Sequence, residues 1–188
     1  QKAGNTNLYL DRVLGHSYAE LGNKTDKDAY TKGLAAMDRF FTKAGPDFKY
    51  QAIDYKYKGI LLSKTGKDSL GVMELEKAAS MDPKMANDLN REIIKTYMSA
   101  KKYSKAITGY ERLMGNEKKN LTKQDWYDWG RAYFYEAGLK IKDKKEAEAP
   151  ALFVKADTCF SNLCQLDNAY PMGYFWRGRV NNQLDPKD

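Results

Sequence analysis

The sequence predicts an all-α fold, a right-handed α-solenoid of antiparallel helix pairs. Apolar side chains recur at spacings of three and four along the 188 residues, which is the pattern of helices with one buried face. Gly, Asn, Asp and Pro interrupt this pattern about every 15–20 residues, so the helices should be short. The same order of large and small residues returns after roughly 35 residues, as it does in stacked helical repeats.

The first predicted helix pair covers about residues 8–48. Its first helix has Gly15 between Leu14 and Tyr18, and a glycine at such a point lets a neighbouring helix approach closely. The second helix repeats this small-to-large spacing with Gly33, Met37 and Phe40. A Gly-Pro-Asp segment at 45–47 then ends the pair, because these residues favour turns.

Two further pairs follow, at about residues 52–84 and 85–120. In the earlier one, Gly59 lies between Tyr55 and Leu62, and Gly66 is expected to form the turn. In the later one, Ile94 takes the place of the first-helix glycine. The core positions predicted on the two second helices are Gly71, Leu75 and Ala78, and then Ala106, Tyr110 and Leu113.

The fourth pair, at about residues 121–169, carries the clearest pattern. Trp126, Trp129, Gly130 and Tyr133 share one face of its first helix, so two indoles and a phenol should pack against the next helix. The matching positions on its second helix are Ala156, Phe160 and Leu163.

Three features mark the rest of the C-terminal half. Thr122 and Asp125 have the spacing of a capping box that begins a helix. An insertion of about 14 residues, which includes Lys140 to Pro150, should extend the preceding helix and then form an exposed loop. A terminal helix at 171–184 places Tyr174 and Gly178 at the repeat positions. It would either cap the solenoid or begin a further pair.

These phrases resemble the tetratricopeptide repeat (TPR), whose first helix has two bulky residues, then Gly and an aromatic residue. The resemblance covers nearly the whole chain and implies a single TPR-like domain over residues 1–188. It also implies that the large residues of the pattern fill the space between helices: Tyr55, Trp126, Trp129, Tyr133, Phe160 and Tyr174. The sequence at the start of the terminal helix is similar to that of TPR proteins of Bacteroidota, many of which are exported to the cell envelope.

Composition sets limits on location and partners. The net charge is +7 and the pI is about 9.2, which is compatible with nucleic acid, acidic peptides or anionic surfaces. Most lysines are scattered, as on solvated helix faces, and the denser clusters at 118–119 and 140–145 are expected in loops. No apolar run has the length of a membrane span. The Bacteroidota resemblance favours the periplasm or cell envelope, and the cytoplasm stays an alternative.

Catalytic and metal-binding groups are scarce. His16 is the sole histidine, and its neighbour Ser17 cannot face it on a helix. Cys159 and Cys164 are five residues apart on one predicted helix, too far for an unstrained disulfide, and are interpreted as packing residues. No glycine-rich phosphate loop or nucleophile motif is present in the sequence. We therefore predict a protein that is not an enzyme, with no catalytic residue, metal or cofactor.

The TPR resemblance also implies where a partner would bind. In TPR arrays the first helices line the concave surface, and two positions four apart on each of them point into it. Each pair of positions holds at least one Arg or Lys, often beside an apolar or aromatic residue. With two aromatic residues one turn further on, the candidate partner-binding residues are Arg12, His16, Lys56, Ile60, Arg91, Lys95, Tyr127, Arg131, Phe134, Tyr135, Phe175 and Arg179.

Two hypotheses for function remain. The leading one is a protein–protein interaction scaffold that binds a partner segment with acidic or carboxylate groups in a basic and aromatic groove. The alternative is a helical repeat that binds RNA or another polyanion. The chaperone-binding TPR subtype is disfavoured, because Asp88 and Glu92 stand where its carboxylate clamp needs two basic residues.

Overall fold

The structure is a computed structural model that describes residues 2–22, 26–117 and 121–185. Within these ranges it contains nine α-helices of 13–20 residues and no strand, so the all-α prediction is confirmed. The predicted loop lysines at 118–119 lie outside the described residues. The helices are α1 Lys2–Leu21, α2 Ala29–Ala44, α3 Ala52–Lys64, α4 Asp68–Met81, α5 Ala86–Ser99, α6 Tyr103–Glu117, α7 Lys123–Lys142, α8 Ala149–Leu166 and α9 Pro171–Leu184.

The chain divides into two compact units, Gln1–Thr96 and Tyr97–Asp188. The first unit holds α1 to α4 and most of α5, and the second holds the end of α5 and α6 to α9. Within these units, three pairs of consecutive helices pack together: α1 with α2, α3 with α4, and α7 with α8. They form the antiparallel pairs that the repeat pattern predicts. No described helix is long and apolar enough to cross a membrane.

Small residues set the distance between α3 and α4 in the first unit. A Cβ atom added at Gly59 would lie 2.8 Å from the carbonyl oxygen of Gly71 and 2.7 Å from Leu75 Cγ. A Cβ added at Gly71 would lie 2.8 Å from the carbonyl oxygen of Gly59. The two backbones therefore approach to a distance that no larger residue at either position allows. The contact predicted from these glycines is confirmed.

The core of the first unit is aliphatic at its centre and aromatic at one edge. Met37 and Phe40 are fully buried against Leu61. Phe41 and Tyr50 stack with their ring centroids 4.5 Å apart. The Tyr50 hydroxyl donates to the backbone carbonyls of Phe41 and Gly45, at 3.1 and 2.9 Å. These contacts fix the chain where it leaves α2 and turns toward α3.

A buried carboxylate joins α1 to α2. Asp11 accepts hydrogen bonds from Lys43 Nζ at 2.7 Å and from Arg39 Nε at 2.9 Å, and it is almost fully buried. The Lys43 hydrogen bond is the main reason that the pKa of Asp11 lies below its ordinary value, and Arg39 adds to this effect. The repeat pattern did not single out this acid.

The second unit is built around the aromatic face of α7. Trp129 stacks on Trp126, Tyr133 and Tyr110, with ring centroids 5.5–5.9 Å apart. On the adjoining position, a Cβ added at Gly130 would lie 2.6 Å from the Phe160 ring. The glycine thus gives the fully buried Phe160 room against α7, as the repeat pattern predicts.

The terminal helix α9 buries a different face from the one that the repeat pattern predicts. Tyr174 was expected in the core, but its exposed fraction is 51%, and open space surrounds Gly178. Gly173 instead lies against Cys164, and Trp176 stacks on Phe160 at 5.7 Å. Burying the larger indole removes more apolar surface from water than burying Tyr174 would, which explains the difference. The predicted core role of Tyr174 is therefore wrong.

The ends of α7 confirm one prediction and modify another. Thr122 and Asp125 form the predicted capping box, with the Thr122 hydroxyl accepting from the Asp125 N–H at 3.1 Å. After the extended helix come a short turn and a 3₁₀ helix at Glu146–Glu148. Lys140 and Lys142 belong to the last turn of α7, which agrees with the predicted helix extension but not with a loop position for these two lysines. Pro150 belongs to the first turn of α8.

Two glycines of α7 test how much the close helix contact contributes. Gly130→Ala should destabilise the protein by about 1–3 kcal/mol, because the new methyl group overlaps the buried Phe160 ring. Gly138→Ala, on the open side of the same helix, should raise stability by up to about 1 kcal/mol through helix propensity alone. Chemical denaturation of both variants measures this, and equal effects would contradict the packing described for Gly130.

Candidate functional site

The twelve candidate residues divide equally between the two units. All lie on α1, α3, α5, α7 or α9, which are the first helices of the repeat pattern. The first unit holds Arg12, His16, Lys56, Ile60, Arg91 and Lys95. The second holds Tyr127, Arg131, Phe134, Tyr135, Phe175 and Arg179. Each group is described within its own unit.

Arg12 and His16 contribute to the fold of the first unit. Arg12 Nε donates to Asp54 Oδ1 at 2.6 Å, and its Nη2 donates to Gln51 Oε1 at 2.7 Å. His16 Nε2 lies 3.3 Å from Asp54 Oδ1, close to the carboxylate but without hydrogen-bond alignment. Both side chains are mostly buried. Because Asp54 already occupies them, neither is presented to a partner as a free group.

Asp54 is the centre of this network and is completely buried. Its burial alone would raise the pKa of the carboxyl, but His16, Arg12 and the Gln51 backbone N–H together hold the pKa below its ordinary value of 3.8. The carboxylate also closes the capping box that begins α3. Asp54 thus anchors α1 to α3 and begins α3 at the same time. Sequence reasoning missed it, since an acid at this position looks like an ordinary helix cap.

The other four candidates of the first unit line one cavity of about 520 Å³. Lys56 and Ile60 come from α3, and Arg91 and Lys95 come from α5. The end of α1 supplies a third wall through Ala19 and Glu20, and Tyr57, Lys64, Met85, Asp88, Leu89 and Glu92 complete the lining. The structure therefore brings together these four residues from different repeats.

The charges around this cavity are partly paired. Lys95 Nζ lies 2.7 Å from Glu92, and Arg91 lies 3.9 Å from Asp88. Lys56 has its ammonium 5.3 Å from the centroid of the Tyr57 ring. No carboxylate of the described residues lies within salt-bridge distance of Lys56. Lys56 is therefore a cation of the cavity that no acid of the described residues neutralises.

Tyr57 connects the cavity to the buried network. Its ring packs on His16 with centroids 4.4 Å apart, and its hydroxyl donates to Glu20 at 2.7 Å. Burial, together with the neighbouring Glu20, raises the pKa of Tyr57 to about 12. The phenol therefore stays protonated at neutral pH and keeps donating to Glu20. The repeat pattern did not select Tyr57 for the groove.

The candidates of the second unit form a cluster of cations and aromatic rings. The Arg131 guanidinium lies 5.2, 5.6 and 5.9 Å from the ring centroids of Tyr127, Tyr135 and Trp176. Arg131 also pairs with Asp128 at 3.2 Å, while its Nε is buried without a hydrogen-bond partner. Burial opposes the charge, but Tyr135 and the other neighbours outweigh it and raise the pKa of Arg131.

Arg179 occupies the opposite end of the same cluster. Its guanidinium lies 4.8 Å from the Trp176 centroid, 5.1 Å from Phe134 and 5.9 Å from Phe175. Trp176 is therefore shared by both arginines, although the sequence pattern did not predict a site role for it. The pattern placed the binding positions of α9 at Phe175 and Arg179, and Trp176 lies beside them as a buried core residue.

The described residues offer little for chemistry of other kinds. Cys159 and Cys164 are free and buried, which agrees with a packing role. Among the described residues, no group of three His, Cys, Asp or Glu side chains is placed to hold a metal ion. The arrangement can bind through charge and apolar contact.

Comparisons with known proteins concern the fold. No protein-family model and no curated protein matches the chain. Among solved structures, it is similar to the C-terminal part of a TPR repeat-containing protein of Cytophaga hutchinsonii, with a TM-score of 0.63 and 21% identity over 97% of this chain and 72% of that one. The chain has the TPR fold.

Two further solved structures support the same fold. MamA of strain AMB-1 matches with a TM-score of 0.67 and 17% identity, over 96% of this chain and 84% of that one. TPR-like repeats of a kinesin light chain from Podospora anserina match with a TM-score of 0.52 and 9% identity, over the full length of both chains. A TPR fold matched at such low identity shows that helix packing is shared, while the surface residues are this chain's own.

Removing the buried carboxylate should weaken the fold. Asp54→Ala should lower the free energy of unfolding by about 3 kcal/mol, because Arg12 would keep a largely buried charge without its partner. Asp38→Ala, at an exposed position of α2, should change it by less than about 0.5 kcal/mol. Urea denaturation at neutral pH measures both variants.

The pH dependence of the same variant is a second test. Since the folded-state pKa of Asp54 is lowered, its contribution is complete above the ordinary value of 3.8 and is lost as the pH falls through the folded-state pKa. The difference between wild type and Asp54→Ala should therefore narrow in acid. A difference that stays constant from neutral pH to well below 3.8 would contradict the ionised state of Asp54.

Proposed function

We propose that the protein is a non-enzymatic scaffold that binds a segment of a partner protein on the first helices of its TPR fold. The observation that carries this proposal is the cavity of the first unit. Side chains from α1, α3 and α5 converge on it, although these helices belong to three successive repeats. A surface made by several repeats is what an extended segment needs to make contacts along its length.

The lining of the cavity favours a peptide over a nucleic acid. Ile60 and Leu89 offer apolar surface, and Tyr57 offers an aromatic face. Glu20, Asp88 and Glu92 stand among the basic residues, and they would repel the phosphates of RNA. A peptide can place an acidic side chain near Lys56 and an apolar side chain near Ile60 while avoiding the acids. We therefore infer a partner segment with both kinds of side chain.

Peptide selection provides the test. Random displayed peptides are selected on the purified chain, and the affinities of the best binders are then measured by titration. Lys56→Glu should weaken them at least tenfold, about 1.4 kcal/mol, because a cation near the apolar wall becomes an anion. Lys144→Glu serves as the control and should change little, since this lysine is exposed in the turn after α7.

Salt separates the peptide from the polyanion hypothesis. Peptide binding should fall only a few-fold between about 50 and 200 mM salt, whereas a polyanion held by many phosphate contacts would lose about 10³-fold or more. The proposal fails if the selected peptides bind Lys56→Glu as tightly as wild type. It also fails if an RNA homopolymer binds the wild type tightly with that steep salt dependence while no peptide is selected.

A further inference from the structure

Arg179 lies beside three aromatic rings and is itself exposed to solvent. The rings of Trp176, Phe134 and Phe175 lie around its guanidinium at centroid distances of 4.8, 5.1 and 5.9 Å. A guanidinium held over aromatic faces keeps its N–H donors directed outward in the plane of the group. The side chain is exposed, so these donors are within reach of a ligand.

No acceptor in the described chain uses these donors. No carboxylate of the described residues lies within salt-bridge distance of Arg179, whereas Arg177 two positions earlier pairs with Asp157 at 2.8 Å. Arg131, which shares the Trp176 ring, has one carboxylate neighbour, Asp128, and a buried Nε without a partner. Arg131 and Arg179 therefore both adjoin the Trp176 indole, and among the described residues only the Asp128 carboxylate lies within salt-bridge distance of either of them.

The exposed aromatic residues near Arg179 indicate that a bound anion should have an apolar group beside it. Phe175 has an exposed fraction of 52%, and the neighbouring Tyr174 has one of 51%. Exposed aromatic residues beside an arginine edge can cover an apolar side chain and exclude water from the ion pair. An ion pair partly shielded from water is stronger than one on an open surface.

We propose that Arg179, supported by Arg131 and Trp176, binds the carboxylate of an acidic residue that has an apolar neighbour in the bound peptide. This inference rests on the proposed scaffold function and names the chemistry of a contact in the second unit. The planar fork of a guanidinium matches a carboxylate through two parallel hydrogen bonds. A phosphate offers similar oxygens, so a phosphorylated residue is the competing source of the anion.

The test uses short blocked peptides and the purified full chain. The probes are the acetylated amides of Gly-Glu-Leu-Gly, Gly-Gln-Leu-Gly and Gly-phosphoserine-Leu-Gly, and the readout is the NMR signals of the arginine Nε–Hε groups. The glutamate peptide should shift the signal of Arg179 and, more weakly, that of Arg131. The glutamine peptide, which lacks the charge, should leave both signals in place. A phosphoserine peptide that binds while the glutamate peptide does not would overturn the carboxylate assignment.

Substitutions of Arg179 measure how much this residue contributes to the affinity for the glutamate peptide. Arg179→Gln should weaken the glutamate peptide at least tenfold, and Arg179→Lys should recover only part of this loss, because an ammonium cannot form the two-pronged contact. Arg112→Gln, an exposed arginine of α6, is the matched control and should bind like wild type. Equal binding by Arg179→Gln and wild type would overturn the inference.

The outcome is independent of the cavity in the first unit. If Lys56→Glu weakens the selected peptides but Arg179→Gln leaves the glutamate peptide unaffected, the scaffold function stands and this inference fails. If no selected peptide responds to Lys56→Glu, while the Arg179 signal still shifts with the glutamate peptide, the contact stands without the proposed cavity.

Discussion

The close approach of paired helices at small residues is the constraint on which the structure depends. Where Gly59 faces Gly71, carbonyl oxygens stand where a side chain would otherwise be, and nothing larger fits. In the second unit, the space left by Gly130 is filled by the Phe160 ring. Dispersion contacts are strong only at short range, so these positions decide which face of each helix is buried. The opposite face is then left to the solvent and to partners.

Buried acids add a second kind of contact to this packing. Asp11 joins α1 to α2 through Lys43, and Asp54 joins α1 to α3 through Arg12. Asp54 holds Arg12 in a mostly buried position, whereas Arg39 and Lys43 stay partly exposed and are paired with Asp11. The 32 Lys and Arg residues of the sequence therefore overstate the number of cations that are free to bind a partner. Helix α1 illustrates this, because the two residues proposed for partner binding on it are held by the buried Asp54.

Aromatic rings have a different part in each unit. In the first, Tyr57 connects the buried network to the cavity and stays protonated beside Glu20. In the second, Trp176 and its neighbours hold two arginines at defined positions. Guanidinium groups placed in advance lose less freedom when an anion binds, so the cluster should bind with less entropic cost than flexible surface arginines. The two sites offer different chemistry: a mixed apolar and charged cavity, and a pair of oriented cations.

The sequence by itself determined the helical repeat. Its spacing of large and small residues is local, and a periodicity of three and four places such residues on one face whatever surrounds them. Core positions such as Tyr110 and Phe160, and the capping box at Thr122, follow from that local geometry. The predicted binding positions of α3 and α5 also converge, since neighbouring repeats present the same face.

Only the tertiary structure decided which charges are free and how α9 is turned. The repeat pattern predicts Arg12 and Arg179 alike as partner-binding residues. Arg12 binds the buried carboxylate of Asp54, 42 residues away, whereas Arg179 contacts aromatic rings. Tyr174 and Trp176 are both large enough for the core, and the fit of Gly173 against Cys164 selects the indole. Such outcomes depend on the volume and charge of residues distant in sequence, and local periodicity carries no information about them.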